Sequence, residues 1–225
     1  MRKYAVIVGG GAGTRMGTTL PKQFLELNGK PVMYYTVTTF LEAFSDLEII
    51  LVLPRQHLTV GQHIISGVAG GSRVKLQPGG ETRFESVKNG LELVSSPSIV
   101  FVHDAVRCLV SKDLITRCYG QALSLGSAIP AVAATDSIRI EVNGEHRVED
   151  RNHVRIIQTP QTFQSSLLLN AFQMPYQPQF TDEATVVEYS GEKVHLIEGE
   201  HQNLKITRPI DLVVAGKILQ DNSLF

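Results

Sequence analysis

The chain has 225 residues, 43% of them hydrophobic and 19% charged, with 21 Lys+Arg against 22 Asp+Glu for a formal net charge of -1. A disordered chain combines low apolar content with a large net charge, a membrane-spanning helix needs about 18 consecutive apolar residues, and polyanion binding calls for a basic block. None of these is present, since apolar runs stop at five residues. A chain of this length builds one core without disulfides or metals, so a single domain over residues 1–225 is expected. Behind Met1-Arg2-Lys3 only five apolar residues precede three glycines, too few for a secretory signal, and a cytoplasmic chain is expected. Cys108 and Cys118 flank a helix start at Ser111. Roughly seven helical residues span about 10 Å, beyond disulfide reach, so both read as free thiols.

In chain order, strands are expected at residues 4–8, 48–53, 73–77, 98–102, 128–132, 193–197 and 203–206. Helices are expected at residues 31–44, 55–66, 82–94, 111–125, 181–189 and 207–219, from apolar positions spaced three and four apart. The third is the best signalled: Thr82 and Glu85 form a capping box, and Phe84, Val87, Leu91 and Val94 share a face. Alternation of this kind predicts an α/β fold, a mostly parallel sheet with helices on both faces. Ligands then bind beyond the carboxyl ends of the strands.

Residues 137–148 break the pattern. Two period-2 runs flank Asn143-Gly144, a strong hairpin signal, and Ile138, Ile140 and Val142 form one apolar face. A two-stranded hairpin is marginal alone in water. This arm, within residues 136–158, therefore lies on its own domain or on a second subunit, and the second subunit is the favoured reading.

The loop Gly9-Gly10-Gly11-Ala12-Gly13-Thr14-Arg15-Met16-Gly17 follows the first strand. Such glycines let backbone N–H groups close on phosphate oxygens. The dinucleotide fingerprint fails, because Thr14 stands at its sixth position and no acid ends the second strand; the P-loop spacing fails as well. Arg15 and Lys22 instead supply two cations beside the loop, which suits a triphosphate.

Three more strand ends carry chemistry. Asp104 and Arg107 lie just past a buried strand, where the carboxylate suits a ribose hydroxyl or a phosphate-bound Mg²⁺, or simply a structural pair; His103 reads as packing. The turn Pro78-Gly79-Gly80-Glu81 opens a helix whose N–H groups suit a base edge or an anion, if it is more than a turn with a cap. Lys205 ends the segment 203–206 and is placed to reach the same crevice, though alone it reads as a surface lysine.

Taken together, Gly11-Ala12-Gly13-Thr14-Arg15-Met16, Pro21-Lys22-Gln23, Gly79-Gly80, His103-Asp104-Ala105-Val106-Arg107, Asp150-Arg151-Asn152, Thr159-Pro160-Gln161, Thr181-Asp182-Glu183-Ala184 and Lys205-Ile206-Thr207-Arg208-Pro209 resemble one family in order and spacing. It is the 2-C-methyl-D-erythritol 4-phosphate cytidylyltransferases, CTP-using enzymes of non-mevalonate isoprenoid biosynthesis. The resemblance implies a Rossmann-like nucleotidyltransferase sheet with a protruding arm that builds a homodimer, and a magnesium-assisted transfer. It further implies that Gly9, Gly10, Gly11 and Gly13 hold the triphosphate, with Arg15 and Lys22 at the reacting phosphate. Gly80, Glu81 and Ser86 would surround cytosine, while Asp104 and Ala105 would lie near ribose and metal, with Arg107 alongside. Arg151, Ser137 and Thr159 would reach the acceptor phosphate, completed by Thr181 and Lys205, and Arg151 and Lys205 count among the catalytic cations.

Gly9-Gly10 stand where this family usually has alanines, Cys108 where it has proline, and Ser137 where it has threonine. The doubled glycine also occurs in related ribitol-5-phosphate cytidylyltransferases, the runner-up. A non-catalytic nucleotide-binding module and a dinucleotide oxidoreductase are the more distant alternatives.

Overall fold

A computed structural model describes residues 1–11 and 20–221. Its elements are β1 (Arg2–Val8), β2 (Glu26–Leu27), β3 (Lys30–Pro31), α1 (Val32–Ala43), β4 (Leu47–Leu53), α2 (Leu58–Ser66), β5 (Val74–Pro78), α3 (Arg83–Leu91), β6 (Ser98–Asp104) and α4 (Lys112–Leu125). There follow β7 (Ser127–Ala133), β8 (Ile138–Val142), β9 (Glu145–Glu149), β10 (Arg155–Ile157), β11 (Gln161–Gln164), α5 (Ser165–Ala171), α6 (Glu183–Tyr189), β12 (Leu196–Glu198) and α7 (Pro209–Gln220). The central sheet runs β10-β7-β11-β6-β1-β4-β5, with β12 also paired to β7. Strands β6, β1, β4 and β5 are parallel neighbours, whereas β11 enters antiparallel between β6 and β7.

Alternation along the buried strands divides the core in two. Ala5, Ile7, Ile49, Leu51, Ile99 and Phe101 face one side, covered by α1, α2 and α4 through residues such as Phe40, Ile65 and Leu114. Val6, Val8, Ile50, Val52, Val100 and Val102 face the other, covered by α3, α5 and α6 through Phe84, Leu168 and Val187. Both faces being apolar is what a parallel sheet between two helical layers requires. Strand β4 pairs with β1 on one side and β6 returns on the other, so a crevice opens beyond the carboxyl ends of β1 and β6.

The Thr82–Glu85 capping box and the Ser111 N-cap form as expected, and both cysteines are free and buried. Asn143 and Gly144 adopt φ of 53° and 84°, the paired positive values of a type I′ hairpin turn. The same chemistry at Asn28-Gly29 builds the β2–β3 hairpin, which the sequence reading passed over.

Other expectations are corrected. Residues 203–206 form no strand: the Asn203 amide bonds the Thr159 carbonyl, and the Ile206 N–H reaches Val106 O. The strand expected at 193–197 is replaced by the shorter β12, which begins at Leu196 and ends at Glu198, one residue past the expected end. Strand β11 was missed because Gln161-Thr162-Phe163-Gln164 looks polar, yet Gln161 and Thr162 are buried, the Gln161 amide bonded to Asp182 and the Ala184 N–H and the Thr162 hydroxyl to Pro160 O. The hairpin β8–β9 pairs only with itself. Among the described residues no helix is long and apolar enough to cross a membrane.

Candidate functional site

The crevice contains a cavity of about 480 Å³ lined by the Gly9–Gly11 backbone, Lys22, Gly80, Arg83, Asp104 and Lys205, among others. Its glycine wall is pinned at the start: Gly9 donates to Val52 O, and the buried Gln23 amide donates to Gly9 O at 2.6 Å. A Cβ on Gly9 would lie 2.8 Å from a Leu53 methyl, whereas one on Gly10 would only touch Ser86 Oγ at 3.5 Å. Alanine therefore fits at position 10 more easily than at 9. Gly13 and Arg15 lie outside the described residues.

The opposite wall is the turn into α3. Its N–H groups, expected to face a base or an anion, are engaged internally: Glu85 Oε2 accepts from Glu81 and Thr82, and Ser86 Oγ accepts from Gly80. Ser86 itself is buried and donates to Thr82 O at 2.9 Å. The capping box claims the helix-start donors before any ligand does, so Ser86 shapes this wall. Gly80 is required here, since a Cβ would come within 2.4 Å of Glu85 Cβ.

At the floor, Asp104 is 6% exposed and faces three cations. Arg83 Nε lies 3.5 Å from Oδ1, while Arg107 Nε and Lys205 Nζ lie 3.3 and 2.9 Å from Oδ2. Burial alone would raise the Asp104 pKa, but Arg83, Lys205 and Arg107 together hold it well below the usual carboxylate range. Arg83 is further gripped by both oxygens of Glu183, a carboxylate 1% exposed at the first residue of α6. Burial would lower the Arg83 pKa, and Glu183 and Asp104 more than reverse that. Burial raises the Glu183 pKa, opposed by Arg83.

Arg107, expected to contact substrate, is buried and bonds Asn203 O at 2.8 Å. It therefore ties the Lys205 segment to the end of β6. Ala105 is fully buried, its N–H on Val8 O and its carbonyl on Thr36 Oγ1. Thr159, expected at the acceptor, is also buried; its hydroxyl oxygen accepts from Asp104 N and bonds His103 Nδ1, both at 3.1 Å. Ser137, Arg151 and Thr181 are exposed and do not line the cavity of their own chain. Arg151 donates to Thr135 O beneath the arm.

As a metal ligand Asp104 fits poorly, because both its oxygens already face cations. Among the described residues no group of three His, Cys, Asp or Glu side chains could hold a metal ion. Sequence reasoning overlooked Arg83, Glu183 and Gln23 as parts of the site. A signal for the pair existed in an arginine and a glutamate that each stand directly after a helix cap, Thr82 and Asp182.

Known proteins of one family resemble the chain in both sequence and fold. The family model for 2-C-methyl-D-erythritol 4-phosphate cytidylyltransferase matches residues 4–221. Curated relatives of that name from Bacteroides fragilis and Bacteroides thetaiotaomicron are 41% and 42% identical, covering 97% of this chain and 100% of each relative. The 4-diphosphocytidyl-2C-methyl-D-erythritol synthase structure from Anaerococcus prevotii superposes with a TM-score of 0.83 at 26% identity, covering 98% of this chain and 99% of that one. The Thermus thermophilus cytidylyltransferase gives 0.74 at 30% identity, with 96% and 98% covered. Matched over nearly its whole length in sequence and fold, the chain belongs to the 2-C-methyl-D-erythritol 4-phosphate cytidylyltransferase family.

Proposed function

We propose that the chain transfers the cytidylyl group of CTP to 2-C-methyl-D-erythritol 4-phosphate in isoprenoid biosynthesis. A phosphate oxygen of the acceptor attacks the α-phosphorus of CTP in line. The bond to the β-phosphate oxygen breaks, pyrophosphate leaves, and 4-diphosphocytidyl-2-C-methyl-D-erythritol forms. The carrying observation is the cation-lined crevice in which Lys205 and Arg83 meet Asp104 beside the Gly9–Gly11 backbone and Lys22.

The nucleophile is an oxygen already ionised at pH 7, so no general base is needed. What the reaction needs is positioning and neutralisation of charge in the transition state. Lys22, Lys205 and Arg15 are the proposed sources of that charge, with Gly9, Gly10, Gly11 and Gly13 along the triphosphate. Gly80, Glu81 and Ser86 are assigned to the cytosine side and Asp104 to the ribose side, while Ala105, fully buried with its N–H and carbonyl bonded within the chain, packs next to Asp104. Thr181 is assigned to the acceptor, together with Arg151 and Ser137 carried by the arm of a second copy in a homodimer. Mg²⁺ enters as the counter-ion of the CTP phosphates, and no step is routed through a metal held by the chain. One domain over residues 1–225 working in the cytoplasm completes the reading.

Incubation with CTP, Mg²⁺ and methylerythritol phosphate should release pyrophosphate. Release with ribitol 5-phosphate instead would move the chain to the related acceptor class, and release with neither would overturn the reading.

A further inference from the structure

His103 is fully buried inside β6, with its ring 5.0 Å from that of Phe40, yet both ring nitrogens have polar partners. Its Nε2 lies 3.1 Å from the carbonyl oxygen of Arg107, which can only accept. Nε2 is therefore the protonated nitrogen, and Nδ1 accepts from the Thr159 hydroxyl at 3.1 Å. The Thr159 oxygen in turn accepts the Asp104 N–H. Hydrogen bonds thus run in one direction from the Asp104 amide through Thr159 and the imidazole to the Arg107 carbonyl.

This chain spans the turn from beneath, while the Arg107 N–H closes it from above on Asp104 O at 3.0 Å. The Lys205 segment is fastened to the same turn, through Ile206 N to Val106 O and Arg107 Nη1 to Asn203 O. Burial pushes the His103 pKa down to about 3, the nearby Asp104 opposing. The ring is therefore neutral, and the polarity of the chain is fixed at neutral pH.

We propose that His103 is a positioning residue for the cytidylyl transfer: its imidazole, locked as the Nε2–H tautomer between Thr159 and Arg107, aims Asp104 and Lys205 at the crevice. The catalytic part of this inference rests on the function proposed above, whereas the tautomer does not. A leucine would fill the space but leave the Arg107 carbonyl and the Thr159 hydroxyl unpaired, which is costly for buried groups. Glutamine can place a donor where Nε2 stands, and asparagine an acceptor where Nδ1 stands.

Nitrogen-15 NMR of the unaltered protein should show a neutral His103 protonated on Nε2 at pH 7; an imidazolium or the Nδ1–H form would overturn the inference whatever the reaction proves to be. In pyrophosphate-release assays run well below each melting temperature, turnover should fall at least tenfold in His103→Leu and His103→Asn. His103→Gln should stay within about threefold of the parent. A ranking of turnover that follows melting temperature instead of the Arg107 hydrogen bond, or three variants all within twofold of the parent, would reduce His103 to packing. An inactive parent would overturn the functional reading together with the catalytic part of this one, and the NMR result would then decide the positioning geometry alone.

Discussion

The crevice and the arm are both rich in charge and differ in how that charge is held. In the crevice, Asp104 and Glu183 are 6% and 1% exposed, and each is matched by cations from other elements. In the arm, Val142 and Val148 are 62% and 69% exposed, and each strand pairs only with the other. Buried charges are tolerated only when their partners are in place, so the crevice is over-determined within one chain. The arm has no such internal constraint, since its two strands pair only with each other.

The largest effect should come from breaking the crevice at its deepest point. Glu183→Ala removes both oxygens that hold Arg83 and leaves a largely buried guanidinium with Asp104 alone. Losing one partner of a buried pair costs about 3–5 kcal/mol, which for a chain of this size lowers the melting temperature by roughly 6–20 °C. A calorimetric loss below about 1 kcal/mol would show that the crevice is not built on this pair. The same cluster sets an acid limit. The folded pKa of Asp104 is depressed, so its contribution is complete above the unfolded value of about 3.9. It is lost as pH falls through the lower folded value. Asp104→Asn should flatten that acid limb in unfolding measured against pH.

Next in size is an effect on chemistry with little on the fold. Lys205 has a side chain 39% exposed, so Lys205→Ala should leave stability within about 1 kcal/mol. Turnover should fall at least about tenfold, because the charge proposed to neutralise the reacting phosphates is lost. Lys22→Ala should behave alike. Unchanged turnover in pyrophosphate release would remove either lysine from the transition state and leave Asp104 as a purely structural counter-ion.

These contrasts explain what was legible in the sequence. The buried strands β1, β4 and β6 announce themselves as continuous apolar runs, and caps and turns with one physical solution, such as Thr82–Glu85 and Asn143–Gly144, fall where expected. Gly9, Gly10, Gly11, Lys22, Asp104 and Lys205 were expected near one crevice because parallel topology opens it at the strand ends, and they line one cavity. Illegible were the places where polar side chains are satisfied over long sequence separations. Gln161 reads as loop until Asp182 and the Ala184 N–H are seen beside it. Residues 203–206 read as strand until Asn203 is seen bonded to Thr159 O. Arg83 and Glu183 are 100 positions apart, and no local pattern joins them. For the same reason Thr159 and Arg107 look like ligand contacts in the sequence and stand as supports in the fold.

The smallest effect on the single chain should fall in the arm, and there it is most informative. Register places Ile138, Ile140 and Val142 opposite Glu149, Arg147 and Glu145, so the apolar face expected from one strand is shared with a charged one. Val142, 62% exposed, has nothing to lose within its own chain. Val142→Lys should therefore change the unfolding free energy of the monomer by less than about 0.5 kcal/mol. If the arm lies on a second copy, the same substitution places an ammonium in an apolar contact. The dimer should then dissociate at higher concentration in sedimentation analysis, and methylerythritol phosphate should bind more weakly because Ser137 and Arg151 no longer reach the partner's crevice. Deleting residues 138–148 should give the full form of that phenotype, a monomer that retains CTP binding and loses acceptor use. A deletion protein that stays dimeric would place the subunit contact elsewhere, and would make the arm's exposed valines a property of the single chain after all.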